Sequence, residues 1–380
     1  IEGYVDPADD LIWEGPFGDH TGYYSLPDWY PRFHITAITH RKNAVYPATI
    51  VGIPPQEDAW LGKATERIFL APIKMTMVPE IVDMDMPVEG VFHNLVIAKI
   101  NKEYAGQGQK VMNAMWGAGQ MMFNKILVLA SQPAHGKDAG YPLTNYLKLA
   151  QDIFRNLNPA TDICFSQGPM DVLDHSCSKP GFGGKMCIDG TFKTEEEEDD
   201  SYYFLPPDYE FDKNRIISRF PDIRSVNDQL LARDIPCLIV SVEKNRPGHI
   251  RELHTQLCAS ALIEGIKLVL YVEHTVDATD LPVALWRFCN NLDPRRDHYL
   301  TELPSTLQPG KRWACMGLDG TIKTKAYDNF QRDWPNIIVA DDATIAAVDK
   351  KWNELGIGPF IPSPSLKYKD QLYGEDAVVK

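Results

Sequence analysis

HNLVIAKINKEYAGQGQKVMNAMW, from His93 to Trp116, and IPCLIVSVEKNRPGHIRELHTQLC, from Ile235 to Cys258, read as one pattern written twice, with Lys102 against Lys244. Each is a strand, a turn and a helix by the period of its apolar residues. A second apolar strand follows in both, KILVLAS from Lys125 and KLVLYVE from Lys267, and then a helix ending in NLNPATD at Asn156 or NLDPRRD at Asn291. Both copies close on nearly the same text, MCIDGTFKT from Met186 and MGLDGTIKT from Met316. Residues 66–194 and 215–324 therefore read as tandem copies of one α/β unit. Strands alternating with helices of ten or more residues need crossover connections, so each copy is expected to hold a mixed or parallel sheet covered by helices.

Working outward, the acidic run TEEEEDDSYY, Thr194 to Tyr203, separates the copies and reads as a solvated linker. Only the first copy contains PGFGGKM, Pro180 to Met186, whose glycines would let backbone approach an anion near Lys185, although a plain turn explains them as well. Upstream, Phe33 to Arg41 and Ala44 to Val51 are β-prone and joined by Lys42-Asn43, which predicts a hairpin, with IEGYV as a further strand. PPQED, Pro54 to Asp58, starts a helix on which Trp60, Ala64 and Ile68, and Leu61, Thr65 and Phe69, recur at helical spacing. Downstream, TIAAVDKKWNELGI, Thr344 to Ile357, predicts an amphipathic helix with Ile345, Val348, Trp352 and Leu355 as its apolar stripe.

At 380 residues the chain should hold two or three cores, and 44% hydrophobic with 24% charged residues is ordinary globular composition. A net charge of −14 argues against nucleic acid or an anionic membrane as partner, and no apolar run is long enough to span a bilayer. The seven cysteines are odd in number, widely spaced and without a CxxC pair. They read as reduced thiols of a cytoplasmic protein, several of them small core residues, and their spacing predicts no zinc site.

The chemistry-bearing stretch is EGPFGDHTGYY, Glu14 to Tyr24. Its glycines and proline are poor material for a helix or central strand, so Glu14 and Asp19 should sit on a tight loop of fixed path. Asp19, beside His20, Thr21, Tyr23 and Tyr24, is placed to be partly desolvated and brought towards working pH as a general acid. A turn in which Asp19 caps backbone N–H groups and Glu14 is merely solvated is the plainer reading.

This stretch, continued by FHITAITHRKNAVYPATIVGIPPQEDAWLGKATERIF from Phe33 to Phe69, resembles the active-site segment of the UbiD family of decarboxylases. The resemblance implies an α/β fold (α+β overall): the C-terminal part of a flavin-binding split antiparallel β-barrel over residues 1–56, a linker helix over 57–75, α/β domains over 76–200 and 201–330, and a C-terminal helix and tail over 331–380. It implies reversible decarboxylation of an aromatic, hydroxybenzoate-type or α,β-unsaturated acid, with a place in quinone biosynthesis among the options. The implied cofactors are prenylated FMN and a divalent metal, Mn or Mg. Asp19 matches the family's proton donor and Glu14 its second carboxylate, paired with an Arg. Leu61 matches a substrate contact, its plainer reading being core, and the tail matches one that builds oligomers, a homodimer or hexamer.

The family's Arg and its Asn, His and Glu metal ligands precede the part matched here, so no residue of this chain is assigned to the metal. The chain reads as the C-terminal portion of a longer protein. A non-catalytic subunit that completes an assembly is the competing expectation. A glycoside hydrolase would also use two carboxylates, but aromatic sugar platforms and a separation set across a cleft are not evident in the sequence.

Overall fold

The computed structural model describes residues 1–132, 141–202 and 211–379 and divides into two compact units, residues 1–58 with 333–380, and residues 59–332.

The first unit carries β1 (Glu2–Val5), β2 (Ile12–Glu14), β3 (Phe17–Gly18), β4 (Tyr24–Ser25), β5 (Asp28–Tyr30) and β6 (Phe33–Ala37). They pair only two by two, β1 with β6, β2 with β5 and β3 with β4, all antiparallel. No closed barrel forms among the described residues. The expected hairpin at Lys42-Asn43 is not made: β6 ends at Ala37, its partner is β1, and residues 44–51 form no strand. Val45, Tyr46 and Ile50 are exposed there, so their β propensity meets no packed face that would reward it.

In the second unit, helix α1 (Glu57–Thr76) begins in the first unit's last residues and leads into β7 (Ile81–Asp85). Then follow β8 (Leu95–Ile100), α2 (Gln107–Trp116), β9 (Ile126–Ser131), α3 (Tyr146–Asn156), β10 (Ile163–Pro169) and β11 (Phe182–Asp189). The second series is α4 (Lys213–Arg219), β12 (Ile223–Asn227), β13 (Cys237–Val242), α5 (His249–Ala259), β14 (Leu268–Glu273), α6 (Leu281–Asn291), β15 (His298–Pro304) and β16 (Arg312–Asp319). Two short elements follow: α7 (Lys325–Asp328), and α8 (Asp342–Leu355), which belongs to the first unit.

The repeat in the sequence is a repeat in topology. The sheets run β7-β8-β9-β11-β10 and β12-β13-β14-β16-β15, each with three central parallel strands flanked by antiparallel edges. Register repeats as well: the Met186 N–H donates to the Lys125 carbonyl and the Met316 N–H to that of Lys267, both at 2.9 Å. The central strands are apolar throughout because both their faces are covered. Val96, Ala98, Ile100, Val111, Met115, Leu127 and Leu129 fill one core, and Leu238, Val240, Val242, Leu253, Leu257, Val269 and Tyr271 occupy the same places in the other.

Three sequence expectations change. On α1 the buried face is Ala59, Gly62, Glu66 and Ile73, while Trp60, Leu61, Ile68 and Phe69 are exposed. Glu66 turns inward because its Oε2 accepts the Met86 N–H at 2.7 Å and meets Lys63 at 3.2 Å. The acidic run is no mere solvated linker, since Glu197 accepts from Lys102 Nζ at 2.5 Å and from the Gly106 N–H at 2.9 Å, at the start of α2. The stripe on α8 is buried at Ile345, half-buried at Val348 and Trp352, and exposed at Leu355. The end of the acidic run, at Tyr203, lies outside the described residues.

Candidate active site

The Glu14–Tyr24 stretch is a compact hairpin. β3 and β4 pair Phe17 with Ser25 and Gly18 with Tyr24, which leaves Asp19 to Tyr23 as the turn. The turn is closed by Asp19 N–H to the Tyr23 carbonyl at 3.3 Å and by Gly22 N–H to the Asp19 carbonyl at 3.0 Å. Gly22 has φ of 82°, a conformation that glycine adopts without strain.

The turn is braced from the C-terminal side. Tyr23, fully buried, bridges to Ile337; the Tyr24 N–H donates to the Asn336 carbonyl at 3.1 Å and the Ile338 N–H to the Gly22 carbonyl at 2.9 Å. Gly18 lies so close to Ile338 that a Cβ there would stand 3.3 Å from its Cδ1. Asn336 is in turn held by the tail, its amide donating to the carbonyls of Tyr373, Gly374 and Asp376 at 3.2 Å. The path of the Asp19 turn is therefore set by residues from the far end of the chain, which sequence reading did not anticipate.

Asp19 is half-buried. Its Oδ1 accepts the His20 N–H at 2.8 Å and lies 3.2 Å from His20 Nδ1. A third titratable group joins them: Asp58, in the first turn of α1, whose carboxyl is raised above the ordinary range by burial, with His20 lowering it and Asp19 and Glu57 raising it further. Sequence reasoning missed Asp58 because PPQED reads as a helix start, in which an acid has a capping role to explain it. Glu14, by contrast, is exposed at the end of β2 and stands opposite Asp28 of β5.

The remaining two candidates belong to the other unit. Leu61 is exposed on α1. Lys185 is buried in β11, donates to the carbonyls of Met122 at 2.5 Å and Asn124 at 2.8 Å, and is pushed down to about 8 by burial. The neighbouring glycines serve packing: a Cβ at Gly183 would strike Cys177, and one at Gly184 would strike Asp293 and Arg295.

The profile described as the 3-octaprenyl-4-hydroxybenzoate carboxy-lyase C-terminal domain of UbiD matches residues 59–190 and 211–319, and that of the UbiD Rift-related domain matches residues 1–54. This chain belongs to the UbiD family. Among curated relatives, an uncharacterized protein of Archaeoglobus fulgidus is 50% identical over 198 residues, covering 52% of this chain and 39% of its own length. Another, from Helicobacter pylori strain J99, is 34% identical over 341 residues, 88% of this chain and 50% of that protein. The chain thus spans half or less of the length of these relatives. Solved structures similar to it include the vanillic acid decarboxylase of Sedimentibacter hydroxybenzoicus, with 26% identity, TM-score 0.46 and coverage of 54% of this chain and 42% of that one. The UbiD-class enzyme HmfF of Pelotomaculum thermopropionicum, in complex with FMN, follows at 21% identity, TM-score 0.40, and 54% and 43% coverage. The family assignment rests on the sequence profiles and not on these partial overlaps.

Proposed function

We propose that the chain forms the proton-handling part of a carboxy-lyase acting on an aromatic or α,β-unsaturated acid, with Asp19 as the group that protonates carbon after CO2 leaves. The observation that carries this reading is the Asp19 turn: a half-buried carboxylate on a path fixed by Gly22, Tyr23 and Ile338, with His20 on its oxygen and a second carboxylate, Asp58, within electrostatic reach. Asp19 is one of the charges that raise the Asp58 carboxyl, so the two acids resist ionising together. In the reverse direction the same carboxylate abstracts the proton.

Residues 1–56 would contribute the C-terminal part of a split barrel for prenylated FMN, and the divalent metal would be held by residues outside this chain. The flavin, when bound, supplies the electron sink that carbanion chemistry requires. What fits that neighbourhood within this chain is Asp19 itself, a half-buried carboxylate on a turn whose backbone is already hydrogen-bonded. Lys185 would have to leave two carbonyls to reach a cofactor phosphate. Glu14, exposed here, is free to meet a cation supplied by the rest of the protein.

The test is Asp19→Asn in the full-length protein. Decarboxylation of hydroxybenzoate-type acids should fall by about 10²–10⁴-fold while flavin absorbance and retention are unchanged. Turnover at the wild-type rate would reject the assignment, and absence of flavin from the active wild-type protein would reject the cofactor.

A further inference from the structure

The second copy contains a polar cluster that its first-copy counterpart lacks. His254 and Cys258 lie one turn apart on α5, and Cys315 faces them from β16; all three are fully buried, and one ring nitrogen of His254 and the two sulfurs lie within 4.8 Å of one another. In the first copy the corresponding positions are Met112, Trp116 and Lys185. Those three positions of the first copy carry no thiol or imidazole, so the fold itself does not demand them there.

The geometry is that of ligands converging on a point. The Cys258 sulfur is 3.7 Å from His254 Nε2. A tetrahedral zinc, with bonds of about 2.3 Å to sulfur and 2.0 Å to nitrogen, sets those two atoms about 3.5 Å apart. The other ring nitrogen, Nδ1, is already engaged by the Tyr271 hydroxyl at 3.0 Å, which fixes the ring with Nε2 towards Cys258 and 3.4 Å from the Cys315 carbonyl, a contact that metal binding would replace. Gly317 makes room for this ring, since a Cβ there would stand 2.6 Å from Nδ1. A fourth donor, an oxygen, is at hand: Thr301 is the cross-strand partner of Cys315 and hydrogen-bonds Cys258.

We propose that His254, Cys258 and Cys315 bind one Zn²⁺ in the core of the second copy, with the Thr301 hydroxyl completing four donors. Two thiolates and a neutral imidazole carry two negative charges, which a divalent ion cancels; a monovalent ion would leave a net charge buried. Binding releases the two thiol protons to solvent, and no redox step is involved. The site is fully buried, so the ion would be structural, entering as the chain folds and tying α5 to β16. Spacing along the chain hides it, because the third ligand comes from the last strand of the sheet.

Metal analysis of the reduced protein after dialysis against EDTA tests this. The expected result is about one zinc per chain, with Cys258→Ser and Cys315→Ser each losing most of it. Because such variants can fail to fold, the deciding measurement is made on the unmodified protein refolded with Co²⁺ in place of zinc. It should show the near-ultraviolet thiolate-to-cobalt band and intense visible bands of a tetrahedral site. Absence of those bands, stoichiometric copper instead of zinc, or wild-type zinc in the double serine variant would each overturn the proposal.

Discussion

Lys125 and Lys267 hold equivalent positions in the two copies, and each donates its ammonium to the last carbonyls of the other copy's helix. Lys125 reaches Cys289 and Asn290 at the end of α6, at 3.0 and 3.3 Å, while Lys267 reaches Phe154 and Leu157 at the end of α3, both at 2.6 Å. A cation at a helix C-terminus meets both orphan carbonyls and the negative end of the dipole. The duplication thus builds a reciprocal clasp, with two equal sites satisfying groups that neither copy satisfies alone. The two differ in one respect: Lys125 also pairs with the fully buried Asp174 at 2.7 Å. Lys125→Met should therefore cost roughly 3–5 kcal/mol, since it strands a buried carboxylate. Lys267→Met should cost only about 1–3 kcal/mol, the price of unsatisfied carbonyls. Urea denaturation midpoints check the order of the two; a larger loss at Lys267 would contradict it.

Acid sensitivity should be traceable to Glu197. Burial alone would raise its carboxyl, but Lys102 and the N–H groups of Gly106 and Thr194 override this and hold it down at about 2. A depressed folded value means that stabilisation is complete above the ordinary glutamate range and is lost as pH falls through that range towards 2. Glu197→Gln should lower the melting temperature at pH 7 and flatten its fall between pH 5 and 3. An acid limb as steep as wild type would assign the effect elsewhere. Lys267 adds a slope of the same sign in another window: burial lowers it to about 7, so stability rises with pH from there towards the ordinary lysine range, where the unfolded chain still holds the extra proton.

The α/β class and the duplication were legible because strand and helix periods, and the closing MCIDGTFKT and MGLDGTIKT, are local properties of the chain. What remained hidden depends on partners distant in sequence. Glu197 reads as part of a solvated run until its backbone and lysine partners are seen, and the apolar residues Trp60, Leu61, Ile68 and Phe69 recur at helical spacing although Glu66 and Gly62 occupy the buried face. At the site, the Asp19 turn followed from its glycines, whereas Asp58 and the bracing by Asn336 did not, since both require tertiary proximity.

Asp58 should tune the proton donor without replacing it. Asp19 and Asp58 lie within electrostatic reach of each other, so Asp58→Asn removes a negative neighbour that opposes ionisation of the donor. A donor must be protonated, so the descending limb of the rate against pH should move to lower pH while the maximal rate changes less than about tenfold. A pH–rate profile of the full-length protein measures this. An unshifted limb would separate the two acids.

Asn336 offers a test of positioning as distinct from chemistry. Its side chain ties the tail at Tyr373, Gly374 and Asp376, and its own carbonyl holds Tyr24, so one residue joins the tail to the Asp19 turn. Asn336→Ala leaves three carbonyls without their donor at a cost of about 1–3 kcal/mol. Amide exchange should then quicken together in residues 19–24 and 372–378, because loosening one end of the brace loosens the other. The catalytic loss should appear in kcat with little change in KM, as expected when an acid is displaced from the geometry that proton transfer needs while substrate contacts persist. Faster exchange in the tail alone would mean that the turn holds itself, and its rigidity would then rest on Gly22 and the Asp19–Tyr23 hydrogen bond.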